Sequence, residues 1–203
     1  MSSKLNIIVL TGNISSGKST VCKILKQAGK KVMSADALVH ELLRQPQFQA
    51  EIQLHFDRPR TRRSTFVAQV RQQLFSNKKF SAWYVPWIHK HVAVQLKQLI
   101  QYHRKHKRGA TLFLDIPLYF ESARSWLKPT QVWLIWTPRS IRRRRWQARK
   151  KAPMKEMEKI ERWQIPDEEK FQKVDIILVN SLGMRELKGQ VFSALRMLKQ
   201  GRF

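Results

Sequence analysis

Gly12-Asn13-Ile14-Ser15-Ser16-Gly17-Lys18-Ser19 decides the fold of this 203-residue chain. The stretch fits the phosphate-binding loop pattern G-x-x-x-x-G-K-[ST] at every fixed position. Before it runs Asn6-Ile7-Ile8-Val9-Leu10-Thr11, an apolar segment rich in strand formers. After it, Val21, Ile24 and Leu25 recur at helical spacing. Strand, glycine loop and helix are the order that phosphate binding needs. Backbone N–H groups of such a loop converge on phosphate oxygens, and the helix N-terminus adds partial positive charge. Lys18 is expected to reach the β- and γ-phosphates, and the Ser19 hydroxyl to hold Mg²⁺.

Outward from the loop, strands and helices alternate. Residues 31–34 read as a second strand and 35–43 as a helix with Leu38, Leu42 and Leu43 on one face. A short helix is expected over 47–56, then a polar connection at 57–63 with one proline and four arginines. Phe66, Val67, Val70, Leu74 and Phe75 predict a helix with Ser64 or Thr65 as its N-cap. A long helix is expected from 81 to about 104, with Pro86 near its first turn or at a break. Residues 111–115 form a strand ending on Asp115, and 131–136 a nearly all-apolar strand, as in a sheet covered on both faces. Charged helices follow at 140–151 and 154–164, with Pro153 at the first turn of the second. A short helix at 167–173, a last strand at 175–180 and a closing helix at 185–199 complete the pattern. The expectation is an α/β fold: a parallel sheet flanked by helices, with its sites at the carboxyl ends of the strands.

The charge is strongly basic. Forty Lys+Arg against fourteen Asp+Glu give a formal +26 and a pI near 11.1. That balance suits nucleic acid, a polyanionic small substrate, or a merely solvated basic surface. No apolar run is long enough to cross a bilayer, and the N-terminus leads straight into the first strand, so a cytoplasmic protein without a signal peptide is expected. The single cysteine, Cys22, has no partner for an internal disulfide and reads as a small core residue. The six histidines show no metal spacing, and no structural zinc is expected. The tryptophans read as packing residues.

Two carboxylates fall where such a sheet places its chemistry. Asp36 follows the second strand and is a candidate for the group facing an acceptor hydroxyl; an Asp there equally serves to cap a helix. Asp115 could hold Mg²⁺ through water, or make only structural bonds. In the run Arg142-Arg143-Arg144-Arg145, Arg145 shares a helical face with Arg149, and such a pair can clamp phosphates. The other arginines read as a solvated face.

The assembled motifs resemble the dephospho-CoA kinase family over nearly the whole chain. The family's T-G-G-I-G-S-G-K-S-T opening is similar to Thr11 through Thr20, and its D-A-D to Ser34-Ala35-Asp36. Its v-F-x-[DN] helix end resembles Leu74-Phe75-Ser76-Asn77, and its H-P matches His89 alone, with Lys90 in place of Pro. Asp115-Ile116-Pro117-Leu118-Tyr119-Phe120-Glu121 resembles D-I-P-L-L-F-E, and in combination with Ser34-Ala35-Asp36 and the C-terminal landmarks it is far more specific than the loop, which alone indicates only a nucleotide binder. Arg145 and Arg149 fit its lid motif, and Gln164, Glu169-Lys170, Val174-Asp175 and Asn180 fit its later landmarks.

The resemblance implies a P-loop kinase core with a five-stranded sheet, a single domain over 1–203 with a helical CoA-side insertion at about 37–107 and a lid at about 139–165. It implies transfer of the ATP γ-phosphate to the ribose 3′-hydroxyl of dephospho-CoA, giving CoA and ADP, the last step of coenzyme A synthesis. Asp36 would be the general base, with Lys18, Arg145 and Arg149 acting on the phosphates. Gly12, Asn13, Ile14, Ser15, Ser16, Gly17, Lys18, Ser19, Thr20 and Asn180 would bind ATP. Asp36, His89, Asp115, Leu118 and Glu121 would meet dephospho-CoA, and Ser19 and Asp115 would serve Mg²⁺. A monomer or weak oligomer without membrane attachment is expected, with nucleic acid bound only non-specifically. Asn13 and Ser15 replace two loop glycines, Ser34 replaces the first Asp of D-A-D, and His40 stands where Arg is frequent. The competing expectations are another small-molecule or nucleotide P-loop kinase, and a basic nucleic-acid-binding P-loop protein.

Overall fold

The computed structural model describes residues 5–56, 65–106, 109–123, 125–150 and 153–200. The arginine-rich connection at 57–63 and the alternative cap Ser64 lie outside them. The chain divides into two compact units: Met1–Met33 with Lys107–Phe203, and Ser34–His106.

The first unit is built on a five-stranded parallel sheet of order β2-β3-β1-β4-β5. Its strands are β1 (Asn6–Thr11), β2 (Lys31–Ser34), β3 (Thr111–Asp115), β4 (Gln131–Trp136) and β5 (Ile176–Val179). β1 lies at the centre, in parallel register with β3 (Leu10 beside Asp115) and with β4 (Thr11 beside Leu134). It is central because Ile7 to Leu10 are apolar on both faces, and all four are buried. Helix α1 (Lys18–Gln27) packs Val21, Cys22, Ile24 and Leu25 against the sheet, and α9 (Met184–Gln200) packs beside it through Leu187, Val191, Ala194 and Leu195. Trp133, fully buried, meets Phe113 edge-on at 5.4 Å, and its Nε1 donates to Gln131 Oε1 at 2.9 Å. The edge strand β5 is closed by a side chain: Gln190 accepts from the Val179 N–H at 2.8 Å and donates to its carbonyl at 2.9 Å. That blunts the edge against a further strand.

The same unit holds α6 (Arg139–Lys150), α7 (Met154–Glu161) and α8 (Asp167–Phe171). Pro153 is the N-cap of α7, one position before the expected first-turn place. A π-helical turn at Tyr119–Ala123 was not expected from the sequence.

The second unit contains α2 (Ala35–Leu42), α3 (Pro46–Gln53), α4 (Phe66–Ser76) and α5 (Lys78–His106). Thr65, not Ser64, caps α4, accepting from the Ala68 N–H at 3.3 Å. α5 starts three residues before the expected point and carries Pro86 in its interior. A proline there removes one helical hydrogen bond. The helix persists because Phe80, Tyr84, Ile88, Val92, Leu96 and Ile100 repeat every four residues as one buried stripe, packed on α2 and α4. Among the described residues no helix is long and apolar enough to cross a membrane.

Candidate active site

The loop departs from the carboxyl end of β1 and enters α1 at Lys18. Gly12 and Gly17 have φ of 148° and 95°. A Cβ on Gly12 would collide with the Ile135 carbonyl oxygen, and one on Gly17 with the Asn180 amide. Both positions therefore require glycine, for space as well as conformation. Ser15 adopts a φ of 60° without being glycine. The N-terminus of α1 has no side-chain cap and no acidic residue in its first turn, so its partial positive charge is left for an anion. Ser16 Oγ is buried and has no hydrogen-bond partner among the described residues. Lys18 Nζ donates to the Gly12 carbonyl at 2.6 Å.

Three residues meet at the second half of the loop. Asn180, at the end of β5, donates from Nδ2 to the Ser16 carbonyl at 2.8 Å. The Thr137 hydroxyl lies 2.9 Å from that carbonyl and 3.1 Å from the Asn180 carbonyl. Arg145, on α6, donates to the Asn180 carbonyl at 2.9 Å, and a Cβ built on Gly17 would lie 3.7 Å from its Nη1. Burial, and then the neighbouring Arg149 charge, hold the Arg145 guanidinium below its ordinary pKa. Arg149 itself is exposed.

A second set of side chains holds the first half of the loop. Asn13 Nδ2 donates to Asp167 Oδ1 at 2.7 Å, and Asn13 Oδ1 accepts from Lys170 Nζ at 2.6 Å. Gln164 Oε1 accepts from the Ile14 N–H at 2.9 Å. Arg142, 5 % exposed, pairs with Glu161 at 2.9 Å and donates from Nε to the Thr137 carbonyl at 3.1 Å.

Asp115 ends β3 beside Leu10, next to the strand that feeds the loop. Burial first, and the nearby Asp115 charge second, push the pKa of the Cys22 thiol up to about 12. Ser19 is exposed in the first turn of α1, with Thr20 donating back to the Gly17 carbonyl at 2.9 Å. Leu118 is half-buried and its carbonyl accepts from Ser122 Oγ at 2.7 Å. Glu121 Oε1 accepts from the Ile165 N–H at 2.8 Å and pairs with Lys170 at 3.2 Å, while its Oε2 is buried with no hydrogen-bond partner among the described residues.

Asp36 and His89 belong to the second unit. Asp36 is exposed in the first turn of α2, two residues past the N-cap Ser34, and is therefore not the cap itself. His89 is half-buried on α5, and burial lowers its pKa.

A model of the dephospho-CoA kinase family matches residues 6–186. The chain belongs to the dephospho-CoA kinase family. It is accordingly a kinase, and ATP is its phosphate donor. A dephospho-CoA kinase from Helicobacter pylori is 33% identical over 201 residues, covering 95% of this chain and 97% of that one. One from Bartonella quintana is 28% identical over 194 residues, covering 96% and 98%. Among solved structures, TT1252 from Thermus thermophilus superposes with a TM-score of 0.79 at 27% identity over 96% of this chain and 98% of that one. A dephospho-CoA kinase from Campylobacter jejuni gives 0.70 at 23% over 98% and 100%, which speaks for the shared fold.

Sequence reading of this kinase missed Thr137, Arg142, Asp167 and Lys170 as residues that touch or brace the loop. Nothing local marks Thr137. Arg142 was hidden in an arginine run, and the only signal at Lys170 was its place in the family's E-K landmark.

Proposed function

We propose that this kinase transfers the ATP γ-phosphate to the ribose 3′-hydroxyl of dephospho-CoA, giving CoA and ADP. The observation that carries the reading is the Arg145 guanidinium beside Gly17, over a loop whose helix N-terminus is uncapped. Phosphoryl transfer rests on positioning and charge stabilisation, and these groups supply both. The loop from Gly12 to Thr20 would bind the phosphates through its backbone N–H groups. Lys18 would exchange its bond to the Gly12 carbonyl for the β- and γ-phosphate oxygens. Arg145 would hold charge on the transferring group, with Arg149 adding to the local positive field. Asn180 would act through the Ser16 carbonyl, fixing the loop's shape. Asp36 is our candidate for the general base on the acceptor hydroxyl, and His89 and Leu118 for contacts with dephospho-CoA.

Hydroxyl and carboxylate oxygens at Ser19 and Asp115 are the hard donors that Mg²⁺ takes, on adjoining elements of one sheet edge. They would hold it, Asp115 through water, and the ion would neutralise phosphate charge.

The test is ADP release with ATP, Mg²⁺ and dephospho-CoA, in the wild type and in Asp36→Asn. Turnover that needs dephospho-CoA and collapses in Asp36→Asn while ATP still binds supports the reaction and the base. Absence of dephospho-CoA-dependent turnover in the wild type removes the proposed reaction.

A further inference from the structure

Asn13 sits between opposite charges. Lys170 is fully buried, and a buried ammonium is costly unless paired and hydrogen-bonded. It has an ion pair with Glu121 at 3.2 Å, yet its shorter bond, 2.6 Å, goes to Asn13 Oδ1. The other end of the same amide donates to Asp167 at 2.7 Å. Burial raises the Asp167 pKa, while Arg142 and Lys170 oppose that rise and favour the carboxylate that Asn13 meets. An amide is the side chain that serves both neighbours, since it accepts at one atom and donates at the other. The backbone asks for nothing special at this position, because Asn13 is not among the residues with positive φ. Its side chain explains its presence.

We infer that Asn13 is a positioning residue for ATP binding, coupling the phosphate loop through Lys170 and Asp167 to α8. The inference rests on the kinase reading. Asn13 acts through the loop backbone: with its amide fixed at both ends, the Asn13–Ile14 peptide is held, and Gln164 holds the Ile14 N–H in the same orientation. Loss of the amide leaves the loop's fixed glycines and Lys18 in place but frees its first half. The ordering cost then falls on ATP binding, and chemistry at saturating ATP is spared.

The test measures ATP affinity by calorimetry on the full chain without dephospho-CoA, together with steady-state kinetics and melting temperature. In Asn13→Ala the ATP dissociation constant is expected to rise about tenfold, the scale of a hydrogen bond to a charged group. kcat and the KM for dephospho-CoA are expected to stay within about twofold of wild type. Combined with Lys170→Met, Asn13→Ala should add little further loss, because both break one coupling. Asp167→Ala replaces Lys170→Met in that cycle if the latter does not fold. Wild-type ATP affinity in Asn13→Ala, or losses that multiply in the double variant, would overturn the inference. A wild type that binds ATP without releasing ADP in the presence of dephospho-CoA defeats the proposed reaction, and the binding data still decide the role of Asn13.

Discussion

Asn180 Nδ2 donates to the Ser16 carbonyl at 2.8 Å, joining the end of the last strand to the phosphate loop across 164 residues of sequence. The same asparagine accepts from Arg145 through its own carbonyl, so one residue organises the loop and the arginine beside it. Asn180→Ala removes the amide but keeps the backbone acceptor. The Ser16 carbonyl then loses its amide donor in a site only 1 % exposed. We expect a loss of about 1–2 kcal/mol in stability, and weaker ATP binding with Arg145 still in place. Denaturant melts and ATP titration read the two effects. Unchanged ATP affinity would mean that Thr137 alone sets the loop.

Ser15 carries strain that its neighbours do not. Its φ of 60° is a left-handed conformation that costs an L-residue roughly 1–2 kcal/mol relative to glycine. Ser15→Gly removes that cost and adds some unfolded-state entropy, so a net gain of about 0.5–1 kcal/mol is expected. Ser15→Val should lose stability, because a β-branched residue is poorly accommodated at positive φ. Melting temperatures of the pair check the sign; a stabilising valine would contradict this reading.

Legibility of the sequence follows the range of the interaction. The loop was readable because Gly12, Gly17, Lys18 and Ser19 are fixed by local chemistry. β3 and β4 were readable because burial on both faces leaves a continuous apolar run. α5 was readable as a long helix, but not in its start or in the place of Pro86 well inside it, where the buried stripe from Phe80 to Ile100 overrides propensity. The grip on the loop was largely invisible. Asn13 meets Lys170 across 157 positions, and Ile14 meets Gln164 across 150. No periodicity encodes such pairs. Four consecutive arginines show a helical face, but not that Arg142 turns inward to Glu161.

That divided arginine run gives a sharp contrast. Arg142 is buried and paired with Glu161, whereas Arg145 lies beside Gly17. Arg142→Met takes the buried cation from Glu161, which keeps only the exposed Arg139, and from Asp167 at 3.7 Å, and should cost about 3 kcal/mol of stability. Arg145→Ala should leave the melting temperature nearly unchanged and lower kcat by on the order of a thousandfold, as expected for a cation acting on the transferring phosphate. Arg144, exposed, should tolerate alanine in both assays. Melts and ADP release on the three variants make the test, and a kinetic defect confined to Arg142→Met would reverse the assignment.

His89 provides a pH signature in the second unit. Burial disfavours its charged form and lowers its pKa from the ordinary 6.5. A folded-state pKa below the unfolded value means that the unfolded chain binds the proton more readily. The contribution is therefore fully present above about pH 6.5 and is lost as pH falls towards the lower folded value. His89→Gln is neutral throughout and lacks that dependence. The stability difference between wild type and His89→Gln should be constant from pH 7 to 8 and should shrink steadily below pH 6.5. Denaturant midpoints of both proteins at several pH values measure it, because the titration of the other groups is common to both. A difference that stays flat into the acid range would show that the imidazole takes its proton as readily in the folded chain as in the unfolded one.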